Sequence, residues 1–304
     1  LYEVSDPQAY FVPDVTCDMA EVSIEEIGPD RVRVSGAKGY PPPATLKACA
    51  TWDSGWRATA YQPVVGPAAK ERAAKQAAAL FARGSLMLRG RNMADWQRTE
   101  AVIFGGEEEV ILKLVAEHEE MLAAQMFVRE QFAAISAMSP GTSVAFGPQV
   151  APMMHLICFT VDRARAVPLV DGLPCPDPNR PSFAPLMVRR AQAPKLETAS
   201  TTQTTLENLA FARSGEKGET INIGIIARQP QHLSALRRAL TETALRDWLP
   251  DLGDFRVTVY DLPGPCALNV VMEGALPGGL NASQRFDPAA KTIAQRLMRF
   301  PVAL

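Results

Sequence analysis

The segment running from Arg213 through Ser214, Gly215, Glu216, Lys217, Gly218, Glu219 and Thr220 into Ile221 to Arg228 constrains the fold more than any other part of the chain. Two glycines sit among charged and hydroxyl side chains, and an apolar run follows without a break. Glycine tolerates the left-handed backbone of tight turns, so the segment reads as a polar turn feeding a buried strand. Such a turn gathers backbone N–H groups, and Lys217 adds a positive charge among them. A carboxylate or phosphate suits that arrangement, whereas the plainer reading is a polar hairpin loop. It is not a P-loop, because no G-x-x-x-x-G-K-[ST] spacing precedes a helix.

The elements around this turn form an order. Strand 205–212 leads in, and strand 221–228 leads out. A helix is expected from Gln231 to Trp248, opened by Pro230 and stopped before Pro250. Strands 255–261 and 267–274 follow, then a helix from Pro288 to Met298, and the tail Phe300 to Leu304 can add an edge strand. This contains the βαββαβ pattern of a ferredoxin-like sandwich, with one extra strand in front.

Upstream, residues 20–36 read as a hairpin turning at Gly28, Pro29 and Asp30. A second hairpin is expected from Leu46 to Tyr61, turning at Asp53, Ser54 and Gly55. Helical patterns cover Pro67 to Phe81 and His118 to Met138, with strands at 99–105, 109–115 and 153–161. Prolines then crowd residues 164–204, which suggests an interdomain linker. The expected fold is α+β, with two domains of antiparallel sheets and helices packed on one face. An α+β domain spans 1–163, a Pro-rich linker 164–204, and a ferredoxin-like domain 205–304.

Composition excludes more than it selects. The 304 residues are 47% hydrophobic and 21% charged, with a formal charge of −2, the proportions of an ordinary globular protein. No general attraction to nucleic acid follows, and no apolar run reaches the length that crosses a bilayer. No leader is visible, and the chain starts on Leu rather than Met, as though cut from a longer protein. Five cysteines without a C-x-x-C pair and three scattered histidines support neither a disulfide framework nor a metal site. Reduced thiols in a cytoplasmic protein with no metal or cofactor are the expectation.

Blocks at Tyr10 to Asp14, Ile27 to Gly36, Pro41 to Lys47, Arg213 to Arg228, Leu268-Asn269, Gly274 to Ser283 and Ala289 to Leu297 resemble the acyclic terpene utilization family. The match is to the C-terminal portion of its longer proteins, including a ferredoxin-like domain. The resemblance implies a component of acyclic terpenoid or branched-chain acyl-CoA or carboxylic acid catabolism. The chain is then part of an acyl-CoA-metabolising enzyme of lyase or hydrolase type, with the reaction and catalytic residues undefined. The alternative is a non-catalytic assembly or binding module that completes a site supplied by an upstream region or a separate subunit.

Candidate anion-binding residues are Arg213, Ser214, Lys217, Thr220, Asn222, Asn269, Asn281 and Ser283, serving a small anionic ligand such as an acyl-CoA ester. The loop Gly274 to Ser283 faces the Lys217 turn in this reading, or simply joins a strand to a helix. Ser214 is a nucleophile only if a base such as His232 lies beside it. Open sheet edges suggest a homo-oligomer.

Overall fold

The structure, a computed structural model, describes residues 2–143, 145–175, 191 and 202–304. Most of the expected linker, residues 176–190 and 192–201, lies outside the described residues. The chain forms two compact units, one made of Leu1–Ala50 and Leu156–Leu304 and the other of Thr51–His155.

In the first unit, β1 (Tyr10–Phe11), β2 (Thr16–Asp18) and β5 (Lys38–Tyr40) form a three-stranded sheet, and β3 (Ser23–Gly28) pairs with β4 (Arg31–Ser35). The β3–β4 hairpin is the one expected, and Asp30 supplies the positive φ of its turn. The second expected hairpin is absent. In its place β6 (Thr45–Val65) runs unbroken through Asp53, Ser54 and Gly55. Gly55 is needed for a different reason: an added Cβ would lie 2.5 Å from the His118 carbonyl oxygen, at a φ of +106°. Close backbone approach, not a turn, selects glycine there.

The second unit continues with α1 (Ala69–Arg89), β7 (Arg98–Gly105), β8 (Glu109–His118), α2 (Met121–Ala137) and β9 (Ala145–Asp162). The sheet order is β7-β8-β6-β9. With the chain order strand-helix-strand-strand-helix-strand, this is itself a split βαβ arrangement. Small side chains (Ala58 and Ala60 of β6, Ala73 and Ala77 of α1, Ala116 of β8) let the helices approach the sheet, and Leu80, Leu112, Leu114 and Phe127 fill the space. A buried relay lies in the same unit. Gln76 donates to Gln62 at 2.7 Å, Gln62 to Gln131 at 3.0 Å, and Gln131 to the Phe127 carbonyl at 2.9 Å.

Beyond the short pair β10 (Leu169–Val170) and β11 (Leu173–Pro174), the first unit resumes at β12 (Gln203–Thr205) and the single turn α3 (Leu206–Leu209). The main C-terminal sheet contains β13 (Ala210–Lys217), β14 (Thr220–Ala227), β15 (Arg256–Leu262) and β16 (Ala267–Glu273), in the order β13-β14-β16-β15 and antiparallel throughout. Between β14 and β15 the expected single helix is two, α4 (His232–Ala239) and α5 (Glu242–Trp248), because the Thr241 hydroxyl caps the second by accepting from Ala244 N. After β16 come two single turns, α6 (Gly279–Ala282) and α7 (Ile293–Arg296), then β17 (Pro301–Ala303). The helix expected from Pro288 shrinks to α7 because Ala290 has a φ of +53° and Asp287 gathers Lys291 N, Thr292 N and the Thr292 hydroxyl into a turn.

The extra strand in front, β13, takes the sheet edge beside β14, and the tail strand β17 pairs with β12 in a separate two-stranded sheet. Ile221, Ile223 and Ile225 alternate with Leu268, Val270 and Met272 on one face, where Leu233, Leu236, Leu245 and Ile293 close the core. The opposite face carries the odd-numbered residues of β13 and the even-numbered residues of β14, as the period of two requires.

Candidate functional site

The turn at the centre of the sequence argument is smaller than expected. Arg213 to Lys217 belong to β13, Lys217 pairs with Thr220, and only Gly218 and Glu219 form the loop. Gly218 has a φ of +66°, which suits the first position of a two-residue II′ hairpin turn. The polar residues therefore do not ring a loop; strand alternation sorts them onto two faces.

Arg213, Lys217, Thr220, Asn222 and Asn269 share the face away from the helices, as the pairing of Arg213 with Gly224, Gly215 with Asn222 and Gly224 with Asn269 requires. Ser214 points the other way. Its hydroxyl is buried, donates to the Ala290 carbonyl at 2.6 Å and accepts from Ala294 N at 2.9 Å. That hydroxyl ties β13 to α7. His232 Nδ1 sits 3.3 Å from the Leu209 carbonyl oxygen, so the two residues are engaged separately.

Residues 2–8 cross the shared face. Asn269 Nδ2 donates to the carbonyls of Val4 at 2.8 Å and Ser5 at 3.2 Å, and Gln8 Nε2 donates to the Asp261 carbonyl at 2.6 Å. The Tyr2 ring lies over Gly215, where an added Cβ would come within 3.0 Å of it. Glycine at 215 thus makes room for an aromatic ring. Beneath this strap Asn222 is fully buried, and among the described residues neither its Nδ2 nor its Oδ1 has a hydrogen-bond partner, nor does Asn269 Oδ1. A buried amide without partners costs free energy.

Lys217 meets a carboxylate of the protein itself. Its Nζ donates to Glu3 at 2.6 Å, and Lys291 Nζ reaches the other Glu3 oxygen at 3.3 Å. The Lys217 hydrogen bond and the two positive charges hold Glu3 down to about 2, below the usual carboxylate range. Glu3, Tyr2 and Lys291 were not foreseen from sequence. Lys291 lies within the block Ala289 to Leu297, and nothing local marks Glu3, which is more than two hundred positions from its partner.

Arg213 has a different setting. Its guanidinium lies 5.4 Å from the Tyr2 ring centroid, and no carboxylate pairs with it among the described residues. It borders a cavity of about 600 Å³ lined otherwise by Tyr2, Met19, Val22, Ile24, Val34, Ala37, Phe211, Ala212, Gly224, Ile226, Leu262 and Pro265. Lys217 borders a separate cavity of about 680 Å³, with Glu3, Asp6, Tyr10, Phe11, Lys47, Cys158 and Phe159 among its walls.

The small-residue loop does touch the hairpin. Leu276 N donates to the Glu219 carbonyl at 3.0 Å, and Gly278 N to the Glu219 side chain at 2.9 Å. Asn281 is exposed on α6, and Ser283 is buried, its hydroxyl accepting from Arg285 N at 3.3 Å. Among the described residues no cluster of His, Cys, Asp and Glu suits a metal ion, and no helix is long and apolar enough to cross a membrane.

These features define a mixed α and β protein with mostly antiparallel sheets and a ferredoxin-like C-terminal domain. The chain belongs to the acyclic terpene utilisation family AtuA, whose profile matches residues 1–170, while the AtuA ferredoxin-like domain matches 204–303. Membership gives it a role in acyclic terpene utilisation. No curated protein matches it. Among solved structures, a heme-binding protein from Thermus thermophilus is similar at 12% identity, covering 84% of this chain and 90% of its own, with a TM-score of 0.23. A likeness that slight carries no argument.

Proposed function

We propose that this chain binds an acyclic terpenoid or branched-chain acid, free or as its acyl-CoA ester, during the breakdown of such compounds. The observation that carries the reading is the cavity of about 600 Å³ whose described wall is apolar but for Arg213 and the Tyr2 hydroxyl. A branched hydrocarbon body gains by leaving water against Met19, Val22, Ile226 and Leu262. A guanidinium lacking a carboxylate partner is the natural contact for the anionic end. Arg213 is therefore the principal anion contact in the 213–222 segment. Lys217 is already neutralised by Glu3, so it serves a ligand only where the ligand's anion takes the place of that carboxylate.

The test is calorimetric titration with a branched acyclic terpenoid acid, its CoA thioester and a straight-chain acid of equal length. Arg213→Ala removes a charge-assisted contact of about 1.5–3 kcal/mol, which weakens binding about tenfold or more. Equal binding by wild type and Arg213→Ala, or no binding of any of the three, overturns the reading.

A second reading rests on the β3–β4 hairpin, where Ile24, Val32 and Val34 are 54%, 62% and 62% exposed. An apolar ribbon left open to water favours association, so the chain also serves as an assembly module, as a homo-oligomer or with a further subunit. Light scattering of wild type and Val32→Lys at micromolar concentration decides this, and a monomer mass for wild type alone rejects the homo-oligomer.

A further inference from the structure

The thiols of Cys49 and Cys158 lie 3.5 Å apart, sulfur to sulfur, on the neighbouring strands β6 and β9. Both side chains are exposed, and both belong to the same compact unit. Cys17, Cys175 and Cys266 are likewise outside any disulfide. Closing the pair requires the sulfurs to approach by about 1.5 Å, from van der Waals contact to bonding distance, within the reach of side-chain rotation.

We propose that Cys49 and Cys158 form a reversible dithiol–disulfide site, oxidised by a peroxide. One thiolate attacks a peroxide oxygen, the O–O bond breaks, and a sulfenic acid and hydroxide result. The second thiol then attacks the sulfenic sulfur, forming the S–S bond and releasing water. Overall, two thiols and one hydrogen peroxide give one disulfide and two waters, the thiols losing two electrons to the peroxide. Partial burial and the adjacent Cys49 thiol raise Cys158 above the ordinary thiol range, so it surrenders its proton late and closure quickens as pH rises. Because Cys158 and Lys47 line the Lys217 cavity, closure changes that wall without touching Arg213.

The full chain is treated with equimolar hydrogen peroxide, quenched, and mapped by mass spectrometry without reduction. The expected result is a peptide pair joined through Cys49 and Cys158, a mass lower by two hydrogens, and full reversal by dithiothreitol. Cys49→Ser and Cys158→Ser, both at exposed positions, are expected to lose the cross-link and leave a sulfenic acid that dimedone traps on the remaining cysteine. Oxygen added at either thiol of the wild type without a cross-link overturns the proposal. So does a bond to Cys17, Cys175 or Cys266, or one joining two chains. The wild-type map decides the matter even if a variant fails to fold.

Discussion

The sheet β7-β8-β6-β9 and the sheet β13-β14-β16-β15 are built on the same interior and differ at one edge. In each, the first and third strands of a strand-helix-strand-strand run lie side by side at the centre. The outer strand beside the first comes after the run in the former sheet, as β9, and before it in the latter, as β13. The split βαβ core accepts its fourth strand from either end of the chain. In the C-terminal sheet that strand arrives through a two-residue hairpin, so Arg213 and Lys217 are held on a sheet edge rather than in a loop. Residues 2–8 lie over that face.

The interiors also differ. The second unit closes its core with alanines and a buried glutamine relay, and the C-terminal domain with branched aliphatics and the Ser214 hydroxyl. Five substitutions sharpen the contrast. The largest effect is expected from Gly55→Val, which combines a φ of +106° with a Cβ 2.5 Å from a backbone oxygen. It should destabilise by about 3 kcal/mol or more, read by urea unfolding. Gln76→Ala breaks the relay at its most connected member, which also accepts from Thr142 at 3.0 Å. A loss of about 2–3 kcal/mol is expected, and a near-neutral result would show that water replaces the side chain.

Ser214→Ala should cost about 1–2 kcal/mol, because the Ala290 carbonyl and Ala294 N–H lose their shared partner. Urea unfolding reads the change, and a near-neutral result would show that water replaces the hydroxyl. The smallest effect concerns the strap. Glu3 is lowered to about 2 in the folded protein from an ordinary value of 4.5. Its contribution is therefore fully present above pH 4.5 and lost as the pH falls toward 2. The group is exposed, so the change is small. Hydrogen exchange across residues 2–8 should rise through that window in wild type and show no such step in Glu3→Gln. Lys217→Ala should loosen the same residues at neutral pH.

Much of the architecture was legible because its signals are local. The β3–β4 and β7–β8 hairpins, the two long helices and the apolar strand β14 each carry their own periodicity or turn residues. Helix ends were misjudged where one side chain decides them, as Thr241 and Asp287 do. The split βαβ order of the second unit was hidden because Gly55 resembles a turn residue and the contact that selects it comes from His118.

By itself, the sequence determined the family, the mixed fold class and the residues of the glycine hairpin, since these rest on short-range pattern and on blocks of residues kept in order. Only the tertiary structure decided what those residues face. Strand alternation turned Ser214 toward α7 and Arg213 toward an apolar cavity, although the two are adjacent in the chain. Glu3 claimed Lys217 from a distance that no local pattern encodes. A period of two is readable from residues only once it is known which face is buried, and that depends on packing by segments far away in the chain.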